Sequence, residues 1–224
     1  MKGIAYGVGV GPGDPELMTL KAVRVIRECP VIAFPGTCGE DSLAFRIARQ
    51  AVPGLERKEL IPLDMPMTKD RKLLMERHEA AAEKLSGALQ SGRDIALLTL
   101  GDPAVYSTCL YLLRLAGEQG FETELVSGIP SFCAAAAVAG RSLCEWDEPL
   151  LIVPSVHRIP EKLDPGCRYV FMKSGKSLKE IRRLIRESGR SAVFTVNCGL
   201  PDEQILDVPE KIPDTAGYFT LILS

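Results

Sequence analysis

No apolar run in this chain approaches the roughly 20 residues that a membrane-spanning helix requires. Lys2 precedes a short apolar stretch, Ile4 to Val10, but that stretch is glycine-rich and ends in Gly-Pro-Gly-Asp. It reads as a first strand, not as an export signal. Histidine is scarce: His78 and His157 are the two in the chain, too few for a histidine-rich metal site, and no protein-bound metal is expected. His78 falls in a charged helical stretch and is expected to be solvated. The seven cysteines are odd in number and scattered. None forms a Cys-x-x-Cys pair, which argues against a zinc ribbon or a dithiol redox centre. Reduced thiols in a cytosol are the simplest account, each cysteine acting as a small buried apolar residue. Excess charge of one sign is also missing. With 27 basic and 29 acidic residues the formal net charge is −2, which gives no general attraction to nucleic acid or anionic membrane. Neither a Gly-x-x-x-x-Gly-Lys-Ser/Thr phosphate loop nor a Gly-x-Ser-x-Gly nucleophile elbow occurs.

What is present is an alternation. The 224 residues are 46% hydrophobic, enough to bury a sizeable core. Apolar strand-like runs at Ile4 to Val8, Val31 to Phe34, Arg57 to Leu63, Asp94 to Leu100 and Glu122 to Val126 alternate with helical stretches. Those helices are expected at Asp14 to Glu28, with Leu17, Leu20, Val23 and Ile26 inward, then Ser42 to Gln50, Arg71 to Ser91 and Ala104 to Glu118. Such alternation implies a parallel sheet covered on both faces. The pattern restarts with a helix at Pro130 to Ala139. Strands follow at Leu150 to Pro154, Tyr169 to Lys173 and Ala192 to Asn197, with a helix at Ser177 to Ser188. Two closely linked strands at Gln204 to Val208 and Tyr218 to Leu223 favour antiparallel pairing and hence a mixed second sheet. The fold class is α/β with two αβα domains, residues 1–126 and 127–224.

Three strand-ending loops are candidate chemistry. They are Gly7-Val-Gly-Val-Gly-Pro-Gly-Asp-Pro15, Gly101-Asp102-Pro103 and Ser127-Gly128-Ile129-Pro130-Ser131. Open α/β sheets bind ligands at the carboxyl ends of their strands. Gly101 would let a ligand approach the main chain, Pro103 would start the following helix, and Asp102 is either a site carboxylate or a helix cap. The first loop nearly mimics the dinucleotide fingerprint and raises a nicotinamide-dependent oxidoreductase as one reading. Pro12 stands where that fingerprint needs glycine, and the second strand ends Ala33-Phe34-Pro35 without the acidic residue that would hold a ribose.

Taken in order, Gly9-Val-Gly-Pro-Gly-Asp-Pro15 with Leu17-x-Thr19-Leu20-Lys21-Ala22, Gly101-Asp102-Pro103-x-Val105-Tyr106-Ser107 and Gly128-Ile129-Pro130-Ser131 resemble the tetrapyrrole methylases. Several details resemble the branch acting at C-20 of precorrin-2 or cobalt-factor II. These are Tyr106-Ser107-Thr108 without the arginine of sister enzymes, Met65-Pro-Met-Thr-Lys-Asp70, Asp147-Glu148-Pro-Leu-Leu-Ile-Val-Pro154 and Val170-Phe-Met-Lys173. The resemblance implies transfer of a methyl group from S-adenosylmethionine, folded in the cleft between two α/β domains, to a meso carbon of a reduced tetrapyrrole. It also implies a homodimer. Cobalt, if involved, would arrive with the substrate. A sister methylase acting at another ring carbon is the nearer alternative, and a ligand-binding homologue without activity a more distant one.

By position match, the resemblance assigns cofactor contacts to Phe34, Pro35, Gly101, Asp102, Pro103, Val105, Tyr106, Ser131, Phe132, Met172 and Val196. Core packing is the competing reading for Phe34, Phe132 and Met172, and helix capping for Ser131. A substrate rich in carboxylates calls for cations and main-chain amides, for which Gly9, Gly11, Gly13, Asp14, Lys69 and Arg71 are candidates, with Lys72, Lys21 and Lys173 further ones. Asp102 and Tyr106 are the candidates for the proton released after methylation. Glu145, Asp147 and His157 have no motif to anchor them, and water or a ring nitrogen is an equal acceptor.

Overall fold

The structure, a computed structural model, describes residues 1–66, 68, 70–154, 159–175, 177–207, 216–217 and 219–224. It contains two compact units, Met1–Pro130 and Ser131–Ser224.

In the first unit, strands β1 (Ile4–Gly9), β2 (Val31–Pro35), β3 (Glu59–Leu63), β4 (Ile95–Thr99) and β5 (Glu122–Val126) form a sheet in the order β3-β2-β4-β1-β5. Every pairing is parallel. Helices α1 (Leu20–Glu28), α2 (Leu43–Ala51), α3 (Arg71–Gln90) and α4 (Cys109–Glu118) make the connections. The first two crossovers run toward β3 and the last two toward β5. Because such crossovers are right-handed, the two pairs of helices must cover opposite faces. The cores agree: Ala22, Val25, Ile26, Phe45 and Ile47 pack on one face, while Ala81, Leu85, Leu89, Leu112 and Leu113 pack on the other. The connection leaving β4 runs toward β5, opposite to those leaving its neighbours β1 and β2. The carboxyl end of β4 is therefore the topological switch point, where open α/β sheets take their ligands.

The second unit begins with α5 (Ser131–Val138) and builds its sheet from β6 (Leu150–Pro154), β7 (Arg168–Met172), β8 (Val193–Val196), β9 (Gln204–Leu206) and β10 (Thr220–Leu223), with α6 (Leu178–Ser188) between β7 and β8. Its order is β6-β7-β10-β8-β9. β6 and β7 are parallel, whereas β10 runs antiparallel to both β7 and β8. The sheet is mixed, as the sequence implies, but β9 and β10 do not pair with each other. β9 folds back on β8, and β10 inserts between β7 and β8. Chain proximity favoured one partner, and the apolar strand Thr220–Leu223, buried at every residue, takes the sheet centre instead.

Two helices start later than expected. Pro15–Leu17 is a single 3-10 turn capped by Asp14, which accepts the Glu16 N–H; Met18 is extended, and Thr19 caps α1 proper. This break rephases the helix, so Ala22, Val25 and Ile26 face inward and Leu20 is 89% exposed. Residues 103–107 are likewise not helical, and α4 begins at Cys109. Among the described residues no helix is long and apolar enough to cross a membrane.

Candidate functional site

The three glycine loops meet in the first unit at the carboxyl ends of β1, β4 and β5. Gly11 and Gly101 exchange main-chain bonds: the Gly101 N–H donates to the Gly11 carbonyl at 2.8 Å, and the Gly11 N–H donates back at 3.3 Å. A Cβ on Gly9 would lie 2.5 Å from the Gly101 carbonyl oxygen and 2.8 Å from the Gly128 nitrogen. A Cβ on Gly128 would overlap that same Gly101 oxygen. Glycine is required at both positions because three main chains cross there without space for a side chain.

Side chains complete the junction. Asp102 Oδ1 accepts the Ala104 N–H at 2.8 Å, and Oδ2 accepts the Gly128 N–H at 3.0 Å. Thr19 Oγ1 donates to the Ser127 carbonyl at 3.1 Å while accepting the Ala22 N–H. Thr99 and Ser107 share a 2.8 Å hydroxyl–hydroxyl bond, and Ser107 Oγ accepts the Cys109 N–H. These bonds explain the late start of α4. Asp102 and Ser107 draw the intervening amides into local turns, and Tyr106 sits in the left-handed region at φ 49, so Pro103 lies in a loop and not at a helix start. Sequence reasoning quoted Thr19 and Gly128 within the matched motifs without giving either side chain or amide a joining role, and it passed over Thr99, which ends β4 two residues before the second motif.

The other candidates have varied settings. Phe34 is buried to 1% and packs on Phe45 with ring centroids 4.7 Å apart, and Pro35 closes β2. Pro103 is buried, Val105 half-buried and Tyr106 exposed. Gly9, Gly11 and Gly13 are buried, and Asp14 is engaged with its 3-10 turn. Arg71 is exposed at the first turn of α3, whose cap is Asp70. Lys69 and His157 lie outside the described residues. In the second unit Ser131 is the first residue of α5, Phe132 is buried, Met172 ends β7 as a buried residue, and Val196 ends β8 half-buried. Lys173 and Asn197 follow directly at φ 57 and 53.

Two expectations are corrected. His78 is only partly solvated: it is half-buried, it stacks on Tyr111 at 5.4 Å between centroids, its Nε2 is buried without a hydrogen-bond partner, and desolvation holds its pKa below the ordinary 6.5. Nor do all cysteines behave as core residues. Cys29, Cys109 and Cys198 are buried, with thiols pushed up to about 12 by desolvation, but Cys38, Cys133 and Cys144 are exposed. All seven are unpaired thiols. Among the described residues no group of three or more His, Cys, Asp or Glu is placed to hold a metal ion.

The family model described as Tetrapyrrole (Corrin/Porphyrin) Methylases matches residues 5–212. A probable cobalt-precorrin-2 C(20)-methyltransferase of Methanocaldococcus jannaschii is 38% identical over 182 residues, covering 81% of this chain and 76% of that protein. A precorrin-2 C(20)-methyltransferase of a Sinorhizobium species is 32% identical, covering 99% of this chain and 94% of that one. Among solved structures, a cobalt precorrin-4 methyltransferase aligns with a TM-score of 0.74 at 20% identity, over 98% of this chain and 93% of that one. That last likeness bears on the fold alone. The two sheets repeat an architecture seen in such enzymes, the family model runs across almost the whole sequence, and relatives above 30% identity accompany it: the chain belongs to the tetrapyrrole (corrin/porphyrin) methylases.

Proposed function

We propose that this methylase is a C(20)-methyltransferase of cobalamin biosynthesis, transferring a methyl group from S-adenosylmethionine to C-20 of precorrin-2 or its cobalt-bearing counterpart. The observation that carries the cofactor half of this reading is the switch point at the end of β4. It is built from main chain, glycine, proline and short side chains, and no Lys or Arg occurs in residues 9–19, 99–108 or 126–131. A dinucleotide needs its pyrophosphate neutralised or cradled at a helix N-terminus. Here α4 begins only at Cys109, so the donor set suits a phosphate-free cation. This weighs against a nicotinamide cofactor.

The donor, when bound, supplies a methyl group already activated on a sulfonium. The chain's task is then mostly geometric: to hold the reacting carbon in line with that methyl and to keep water from the site. Gly101's own amide and carbonyl are engaged with Gly11, and the Val105 N–H donates to the Asp102 carbonyl at 3.2 Å, so the proposed main-chain contacts shift to the Asp102 N–H and the Pro103 and Val105 carbonyls. Phe34, with its ring in the core, contributes through the position of Pro35. Phe132, Met172 and Val196 are proposed apolar contacts of the cofactor from the second unit. Arg71 and Lys69 are proposed for substrate carboxylates, and the Tyr106 hydroxyl for relaying to water the proton that the methylated carbon releases. A homodimer in the cytosol completes the reading, and sedimentation at micromolar concentration tests the dimer.

The deciding experiment supplies methyl-labelled donor with precorrin-2 and, separately, with cobalt-factor II, and locates the label by NMR. Label at C-20 supports the proposal. Label at another ring carbon makes the protein a sister methylase, and no transfer to either acceptor overturns the reading.

A further inference from the structure

We infer that Asp102 is a positioning residue: its carboxylate clasps the Gly128 loop against the Gly101 turn so that the main chain there keeps the shape the methyl donor needs. This rests on the cofactor reading above. The three loops are joined pairwise in a closed ring. Gly11 and Gly101 join the first to the second through main-chain bonds, Thr19 and Ser127 join the first to the third, and Asp102 and Gly128 join the second to the third across 26 residues of sequence. Among the described residues the hydrogen-bonded tie between the second and third loops thus runs through one side chain.

The geometry opposes a role for Asp102 as proton acceptor. Each of its oxygens already accepts a main-chain N–H, from Ala104 at 2.8 Å and Gly128 at 3.0 Å. A proton arriving on either oxygen would set a new O–H beside an existing donor and weaken the bond made there. Both oxygens serve the loop better as acceptors. Packing also makes the tie sensitive. Gly9, Gly101 and Gly128 cross so closely that a Cβ at Gly9 would be 2.8 Å from the Gly128 nitrogen. Movement of the third loop therefore displaces the Gly101 turn directly.

The test compares wild type with Asp102→Asn and Asp102→Ala in donor KM, kcat, the pH profile of kcat, the affinity for S-adenosylhomocysteine, and hydrogen exchange at the Gly128 amide. Asn retains one acceptor oxygen and is the milder variant should Ala fail to fold. A positioning role gives about 10-fold weaker S-adenosylhomocysteine binding or more, since a charge-assisted bond is lost. Donor KM should rise in parallel, kcat at saturation should stay within about 3-fold, the pH profile should keep its shape, and Asn should be less impaired than Ala. Gly128 amide exchange should quicken in both variants. A kcat loss of about 100-fold or more at unchanged KM, with one limb of the pH profile gone, would make Asp102 a base and overturn the proposal. Unchanged affinity and kinetics with only a lower melting temperature would overturn it as well. If wild type itself takes up no S-adenosylhomocysteine, the cofactor reading fails and takes the clasp's purpose with it.

Discussion

Both units turn the chain sharply just past the ends of sheet strands, and they do so with different residues. In the first unit the left-handed positions at the junction are Gly11 and Gly101, at φ 75 and 66, with Tyr106 a few residues on at φ 49. In the second they are Lys173 after β7 and Asn197 after β8, at φ 57 and 53. Backbone conformation is therefore not enough to explain the glycines, because side chains hold nearly the same conformation in the second sheet. Crowding explains the neighbouring glycines, Gly9 and Gly128, whereas a Cβ on Gly11 would come no closer than 3.2 Å to the Leu17 carbonyl. At the first junction three main chains cross within van der Waals contact and there is no room for a Cβ at Gly9 or Gly128. At Asn197 the side chain is itself put to use, donating to Asp202 Oδ2 at 2.6 Å and holding the hairpin between β8 and β9. A glycine loop in this fold thus marks a crossing of chains, and only secondarily a surface on which a ligand lies.

The comparison breaks most visibly at Gly128. Gly128→Ala should cost about 3 kcal/mol of folding stability in urea titration, at the upper end for overpacking, because the obstacle is backbone that has nowhere to retreat. A loss below about 0.5 kcal/mol would mean the crossing is loose. Gly101→Val follows, at about 2 kcal/mol, since a β-branched residue is poorly tolerated at φ 66. Its expected loss of S-adenosylhomocysteine affinity therefore comes with weaker folding, and Gly101→Ala separates the two effects by keeping the side chain minimal. Lys173→Gly sharpens the contrast from the other side. Relief of its left-handed strain opposes the added freedom of the unfolded chain, so the backbone share of the change should stay within about 1 kcal/mol, as the difference in stability between Lys173→Ala and Lys173→Gly would read it.

The smallest effect lies away from the turns, at His78. Its folded pKa is depressed by desolvation, so the unfolded chain takes up its proton first as pH falls. The stability His78 contributes is whole above the ordinary 6.5 and is lost as pH falls from there through the lower folded value. His78→Asn should flatten the dependence of Tm on pH below 6.5 by a small amount. An unchanged slope would mean that another group is responsible.

Much of this was legible in the sequence. The central strands stood out because parallel strands buried on both faces are continuous apolar runs, and β4 fell within a residue of expectation; β5, an edge strand exposed at all but Val126, was legible from its place after a helix and not from burial. Helix starts were less legible, for a local physical reason. Asp14, Thr19, Asp102 and Ser107 all bond nearby amides, and from sequence each could serve as a helix cap or as a turn. At Asp102 the turn won because its second oxygen had a distant partner, Gly128, that no local pattern reveals. His78 was misjudged for a related reason. Its helix is charged along its first half, but Tyr111 of α4 comes over the ring. For the candidate site, the motifs named the loops correctly, while their mutual ties and the prior engagement of Gly101 with Gly11 emerge only in three dimensions.

The central claim is that a phosphate-free methyl donor is held by the turn after β4. A crystal structure of the protein with S-adenosylhomocysteine tests it most directly. The expected result is ligand against the main chain of Asp102 to Val105, with the Asp102 to Gly128 bond intact. Ligand density laid along Gly9 to Gly13 in the manner of a dinucleotide, with the β4 turn bare, would contradict it.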